Sequence, residues 1–297
     1  MPHFPYLGET LALSAAVFWS IAVILFKKSG ESVHPIGLNL FKNIFAFLLV
    51  IPTLYLMGES LFYTVSLPEF TLLLLSGVIG ITLGDTLFFK SLNLLGAGLS
   101  AIVDCLYSPF IIFFSIILLA ERLSLWQILG TILILSAVLE ASNKKSNHHI
   151  PPENLVGGII WGILAMLTTG FGIVLAKPVL ETVPLLWATE IRFIGGIGSL
   201  LILLAVHPQR KHIIRSVMGV HSWGYTVSSS FLGAYLAMIC WLGGMKFTQA
   251  STAAVLNQTS NIFVFIFAAL LLKEPITLQR LIGIVLAVGG ALLVTFG

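Results

Sequence analysis

Two stretches of this chain, 153 residues apart, are versions of one another. Residues 118–139 read LLAERLSLWQILGTILILSAVL and residues 271–292 read LLKEPITLQRLIGIVLAVGGAL, with seven of the 22 positions identical. Leucine over leucine is cheap in so apolar a chain, but Glu121 over Glu274 and Gly130 over Gly283 are not. The register continues upstream, placing Gly80 on Gly233, Ala101 on Ala254 and Asp104 on Asn257. Nearer the start of each half the offset is 150, which pairs Gly8 with Gly158, Lys27 with Lys177 and Lys42 with Arg192. A small difference in loop length accounts for the change of register. A duplicated half-chain limits the architecture before any other feature does, because both copies must take one fold.

The copies sit in a chain that cannot cover a water-soluble surface. Charged residues make up 9% of it and apolar residues 58%, against roughly 25% and 45–50% in soluble domains. A membrane span needs about 20 mostly apolar residues, and ten segments qualify: 8–27, 35–57, 68–92, 98–119, 123–142, 155–177, 184–206, 222–245, 249–271 and 276–296. Each must be a helix, since backbone exposed to lipid has to satisfy its own hydrogen bonds. The expected fold is therefore an all-α integral membrane protein with ten transmembrane helices. They form two five-helix repeats, 1–142 and 155–297, joined by the polar linker 143–154. An odd number of helices per repeat makes the halves enter the bilayer in opposite directions, related by a pseudo-twofold axis in the membrane plane.

The remaining sequence features narrow the function by exclusion. Met1–Thr10 has neither a basic n-region nor a small-residue cleavage site after the first apolar run, so that run reads as a retained span. Cys105 and Cys240 fall in spans, are not repeat-equivalent and read as buried thiols. His148 and His149 belong to a solvated linker, and no metal site is expected. The chain has no phosphate-binding glycine loop, HExxH or nucleophile elbow, so no cofactor, ATP-driven cycle or hydrolysis is expected. The net charge of +3 comes from loop Lys and Arg and bears on orientation, not on nucleic acid. Lys27, Lys28, Lys90, Lys144, Lys145, Arg210, Lys211, Arg215 and Lys273 fall on one side, and Arg122, Lys177 and Lys246 on the other. By the positive-inside rule the first side is cytoplasmic and both termini are outside. His207–His221 reads as the second polar loop.

Polar groups deep in a bilayer are costly and mark function. In the fourth span Ser100, Asp104, Tyr107 and Ser108 fall on one helical face. In the ninth, Asn257, Ser260 and Asn261 occupy the equivalent face with Gln258 beside it. Two such stripes, related by the pseudo-twofold, would meet where secondary transporters bind solute. Interhelical hydrogen bonding is the plainer alternative. Asp85 lies one turn past a GxxxG face formed by Gly80 and Gly84. It fits a cation-binding or proton-coupling role, and equally a structural pairing with Lys42 or Lys90. Lys42 and Arg192 lie two turns inside their spans and are expected either to act there or to snorkel outward. Trp19, Trp161, Tyr235 and Trp241 are candidate cavity walls.

With ten spans and the pattern ERLSLWQILG / EPITLQRLIG closing each half, the chain resembles the drug/metabolite transporter (DMT) superfamily. Within it, the resemblance is to the EamA-type transporters of bacteria and archaea. The segment YSPFIIFF around Pro109 is also typical, while the second half has Asn261 and Ile262 there. That departure would leave the ninth span straighter than the fourth. The resemblance implies a secondary transporter in the cell (inner) membrane, usually an exporter of amino acids or other small metabolites. It also implies cytoplasmic termini, opposite to the loop charges. Its cavity would be framed by the first, third and fourth spans and the sixth, eighth and ninth. Small multidrug members of the superfamily carry a proton-coupling glutamate eight residues before a lysine. Here those positions are Trp19 and Thr169, which leaves Asp85 and Asp104 as the candidates for coupling to protons. Two other classes remain open: a lipid-carrier flippase, and an intramembrane enzyme using Asp85 and Asp104 as a carboxylate pair.

Overall fold

The computed structural model describes residues 6–119, 124–141, 150–220 and 222–296. Glu121, Arg122, Lys144, Lys145, His148 and His149 therefore lie outside the described residues. Eleven helical elements follow in order: α1 (Leu7–Ser29), α2 (Pro35–Leu56), α3 (Leu67–Leu95), α4 (Ala97–Leu119), α5 (Leu125–Ala141), α6 (Pro152–Leu180), α7 (Leu185–Val206), α8 (Arg210–Met218), α9 (Trp223–Phe247), α10 (Ala250–Gln258 and Ser260–Leu271) and α11 (Leu278–Phe296). Among the described residues seven are long and apolar enough to cross a membrane, namely α1–α4, α6, α7 and α9. Shorter apolar helices run within α5, α10 and α11. Large apolar side chains such as Leu48, Ile202 and Val285 stand exposed on the outer faces, as a hydrocarbon solvent requires and water would not permit.

The halves interlock instead of lying side by side. Helix α1 packs on α9 and α10, and its counterpart α6 packs on α3 and α4. Helix α2 packs on α7 and α9, and α7 on α2 and α3. Helices α5 and α11 pack most extensively on each other. Small residues allow these approaches. A Cβ on Gly290 would lie 2.6 Å from the carbonyl oxygen of Gly130, one of the two glycines in the duplicated motif. A Cβ on Gly77 would collide with the backbone carbonyl of Arg192, and one on Gly172 would meet the amide nitrogen of Gly80 at 3.0 Å. The expected GxxxG face is thus used by α6, whose Thr169 side chain also occupies the space beside Gly84.

Four spans carry backbone irregularities at repeat-equivalent places. Helix α3 is π-helical over Val78–Asp85, and α9 over Ser230–Leu236. Helix α4 breaks at Cys105 and Leu106, between Ala97–Asp104 and Tyr107–Leu119. Helix α10 breaks at Thr259, which is Leu106 shifted by 153. The expectation that the ninth span would be straighter is therefore corrected: the interruption does not depend on Pro109. Freed backbone groups find side chains. Asn39 Nδ2 donates to the Ile81 carbonyl at 2.7 Å, and Gln258 Nε2 to the Asp104 carbonyl at 3.1 Å. Irregular backbone at membrane depth is tolerated where protein or a cavity satisfies it.

Conserving charge at the ends of spans explains several other residues. Lys27 Nζ donates to the Asn93 carbonyl at 3.1 Å, and its counterpart Lys177 to Met245 (2.6 Å) and Thr248 (3.3 Å). Both lysines close the C-terminal end of the span they meet, where the helix dipole favours a cation. Glu274 does the reverse. Its carboxylate accepts from the Ala97 and Gly98 amides at 2.8 and 3.0 Å, capping α4, while Gly96 turns into that helix at φ +81°. The polar stretch 207–221 is corrected as well: it contains α8, whose Ile213 is buried while Arg210, Lys211 and Arg215 face outward.

Candidate functional site

Six spans frame a half-open cavity of about 120 Å³, well above the roughly 10–15 Å³ that a single water requires. Its walls come from α1, α3, α4, α6, α9 and α10, the six spans expected to frame it. Most of the lining is repeat-equivalent. Trp19 faces in with Thr169 at offset 150; Asp85 with Met238, Phe88 with Trp241, Asp104 with Asn257 and Tyr107 with Ser260 at offset 153. The cavity thus lies on the axis that relates the halves. Ala15, Met166, Gly233, Ala237, Gln258 and Asn261 complete it.

The helix breaks aim the polar stripes. At the break in α4, Asp104 ends one helical piece and Tyr107 begins the next. Tyr107 Oη accepts a hydrogen bond from Trp241 Nε1 at 3.1 Å, tying α4 to α9. Asn261 Nδ2 donates to Cys105 Sγ at 3.2 Å and to Gln258 Oε1, tying α10 to α4. Ser108 departs from its expected place. It is buried, its hydroxyl has no hydrogen-bond partner, and it does not line the cavity. The single face assumed a continuous helix, and the break at Cys105 and Leu106 rotates Ser108 away from Asp104.

The ionisable groups divide by whether they have a partner. Lys42 Nζ lies 2.7 Å from Asp85 Oδ2, with the lysine 2% and the aspartate 17% exposed. Lys42 therefore does not snorkel outward; it pairs with the carboxylate that lines the cavity and also reaches Asn43 Oδ1 at 3.3 Å. Its counterpart Arg192 is likewise buried and inward. That guanidinium donates to Ser76 Oγ and lies over the Trp241 ring, 5.7 Å from its centroid, while its Nε has no hydrogen-bond partner. Neither Lys42 nor Arg192 lines the cavity. In contrast, no hydrogen bond or ion pair reaches the Asp104 carboxylate among the described residues. Asn257 Oδ1 is also an unpartnered buried acceptor.

Two expected aromatic walls lie elsewhere. Trp161 receives the Lys90 ammonium 4.7 Å from its ring centroid, so Lys90 is not the partner of Asp85. Tyr235 Oη is 2.6 Å from Thr53 Oγ1, between α9 and α2. Phe88, Met166 and Thr169 were not singled out from the sequence as lining residues; the repeat register applied to Trp241 and Trp19 points to the first and last. Glu190 on α7 is wholly buried with both carboxylate oxygens unpartnered, and it does not line the cavity. Among the described residues no cluster of His, Cys, Asp and Glu could hold a metal ion.

Comparisons with known proteins agree with this architecture. The model of the EamA-like transporter family matches residues 6–142 and again 156–296. An uncharacterized transporter of Archaeoglobus fulgidus is 21% identical over 283 residues, covering 92% of each chain. Another, of Methanothermobacter thermautotrophicus, is 23% identical over 95% of this chain and 84% of its own. The uncharacterized transporter YetK of Bacillus subtilis is 29% identical over 129 residues, which span 43% of this chain and 38% of the relative. A solved crystal structure superposes with a TM-score of 0.73 over 97% of this chain and 96% of its own, at 19% identity, which speaks to the fold alone. With both halves matched over nearly their full length, the chain is a multi-pass membrane transporter that belongs to the EamA-like transporter family.

Proposed function

We propose that the protein is a secondary transporter of a small metabolite, an exporter of amino acids or related small solutes, that works by alternating access around the central cavity. The repeats 1–142 and 155–297, joined by 143–154, supply the two equivalent halves of the site. One observation carries the reading: an unpartnered carboxylate, Asp104, faces a cavity on the repeat axis opposite its counterpart Asn257. Substrate sites in transporters with inverted repeats lie at that place, where helices are discontinuous. Trp19, Tyr107, Trp241, Gln258, Ser260 and Asn261 complete the binding surface, and Asp85 is held in an ion pair with Lys42. The bodies that rock are each built from both repeats, α1, α2, α9 and α10 on one side and α3, α4, α6 and α7 on the other, following the interlocked packing. Asp104 also carries the coupling: a proton or a cationic group of the solute occupies the carboxylate, one at a time.

The test is flux of labelled amino acids, amines, sugars and nucleosides in proteoliposomes, with and without a pH gradient. Saturable flux that falls at least tenfold in Asp104→Asn, from protein that remains folded, is the expected result. Flux unchanged in both Asp104→Asn and Asn257→Ala would remove the cavity from the mechanism.

A further inference from the structure

The cavity also says what kind of chemical group it accepts, and this step rests on the transporter reading above. Two of its polar groups have no donor or cation in reach. The Asp104 carboxylate has no hydrogen-bond donor or cation among the described residues, and Asn257 Oδ1 is buried with none either. The two are repeat-equivalent and face the same space. A buried acceptor left without a donor is costly, and the half-buried carboxylate beside it is ionisable and faces only the cavity. Neither nearby cation lies in the lining. Lys42 is bound to Asp85 at 2.7 Å, and Arg192 is bound to Ser76 behind the Trp241 ring, outside the lining. Around the orphan acceptors stand Trp19, Tyr107 and Trp241, whose ring faces attract cations.

From these features we infer that the site recognises a primary ammonium group, held between Asp104 and Asn257, and that it does not require a carboxylate on the same solute. Three N–H bonds supply what the two acceptors lack, and the positive charge matches the unpaired carboxylate of Asp104. A quaternary ammonium meets the charge and the aromatic walls but gives the acceptors nothing. A carboxylate on the solute finds no free cation in the lining, because Lys42 is paired with Asp85 and Arg192 is not among the lining residues.

Three compounds with one alkyl body separate these features: isopentylamine, its N,N,N-trimethyl derivative, and leucine, which is the amine with a carboxylate added. Binding to the full-length protein in detergent is read from the rise of its thermal midpoint with ligand concentration. Isopentylamine is expected to raise the midpoint saturably, with at least tenfold weaker binding for the trimethyl derivative and for Asp104→Asn, as loss of hydrogen bonds to a charged group implies. Leucine is expected to bind no more tightly than the amine. Equal binding of the trimethyl compound, leucine binding more than tenfold tighter, or no binding of any primary amine at millimolar concentration would each overturn the inference. The comparison between ligands needs no variant, so a misfolded Asp104→Asn leaves it intact. Saturable flux of an uncharged or anionic solute in the proteoliposome assay would sink this inference and leave the transporter reading standing.

Discussion

Removing one partner of the Lys42–Asp85 pair should destabilise the protein far more than removing both. At 2.7 Å and an effective dielectric constant of about 20, the gross attraction is about 6 kcal/mol. Desolvation of the two ions consumes most of that, so the pair as a whole contributes little, whereas an orphaned buried charge costs about 3–5 kcal/mol. Asp85→Leu belongs at the upper end. It leaves the Lys42 ammonium at 2% exposure with only Asn43 Oδ1 at 3.3 Å and the Phe89 ring 5.8 Å away. Lys42→Met belongs at the lower end, about 3 kcal/mol, because Asp85 is 17% exposed and borders the cavity, where water reaches it. The double variant Lys42→Met/Asp85→Leu should return to within about 1 kcal/mol of the parent, since well-packed apolar replacements of a buried pair are close to neutral. Unfolding in mixed micelles titrated with sodium dodecyl sulfate, followed by tryptophan fluorescence, measures all four corners of the cycle. A double variant as unstable as the sum of the two singles would refute the pairing as the reason these residues are charged. Gradient-dependent flux retained in the double variant would further identify Asp85 as structural and leave coupling to Asp104.

Three further outcomes follow from other parts of the fold. Gly77→Ala should cost about 1–3 kcal/mol or more, because its Cβ collides with the Arg192 carbonyl, whereas Gly198→Ala, with nothing within 4 Å, should be neutral or slightly stabilising in the same unfolding assay. Glu274→Ala removes the acceptor of the Ala97 and Gly98 amides and should cost about 1–2 kcal/mol; a thermal midpoint equal to the parent's would refute the cap. His34, just ahead of α2, accepts from the Ile36 amide through Nδ1. Burial, followed by the neighbouring His207, His212 and Lys90, holds its pKa below the ordinary value of 6.5. The unfolded chain therefore takes up this proton first, so the contribution of His34 to stability is steady above pH 6.5 and is lost as the pH falls below it. His34→Asn keeps an acceptor for the cap and should flatten that dependence of the thermal midpoint between pH 7.5 and 5.

The spans were legible because a bilayer leaves a helix no alternative, and the polar stripes because Asp104 and Asn257 stand out in such an apolar chain. The resemblance to the EamA-type transporters then implied the six framing helices. Other features are not written in local pattern. The π-helical stretches of α3 and α9 have no composition of their own, and they show only in the packing, of α6 and α7 on α3 and of α1 and α2 on α9. The break at Cys105 and Leu106 was equally silent, and it moved Ser108 out of a face that it shares with Asp104 on a continuous helix. Whether Asp85 would meet Lys42 or Lys90 depended on tertiary packing, since Lys42 lies on another span. Helix α8 read as a loop because nine residues with three basic side chains score as polar, although Ile213 anchors them.

The lining of the cavity is unequal across its own axis. The first half contributes Asp85 and Asp104, and the second contributes Met238 and Asn257 at the same places. Two copies of the first half would surround the cavity with four carboxylates; two copies of the second would line it with none. Neither half could therefore build this chamber with itself, and the fused chain is an obligate heterodimer in one polypeptide. The inequality has a vectorial consequence. If the halves were identical, a solute would meet the same chemistry from either face of the membrane, and the inward and outward half-cycles would be mirror images. With the lining acids confined to one half, the two half-cycles of the proposed carrier would not be mirror images: affinities and rates would differ at the two faces, while the gradients of solute and coupled ion set the direction of net flux.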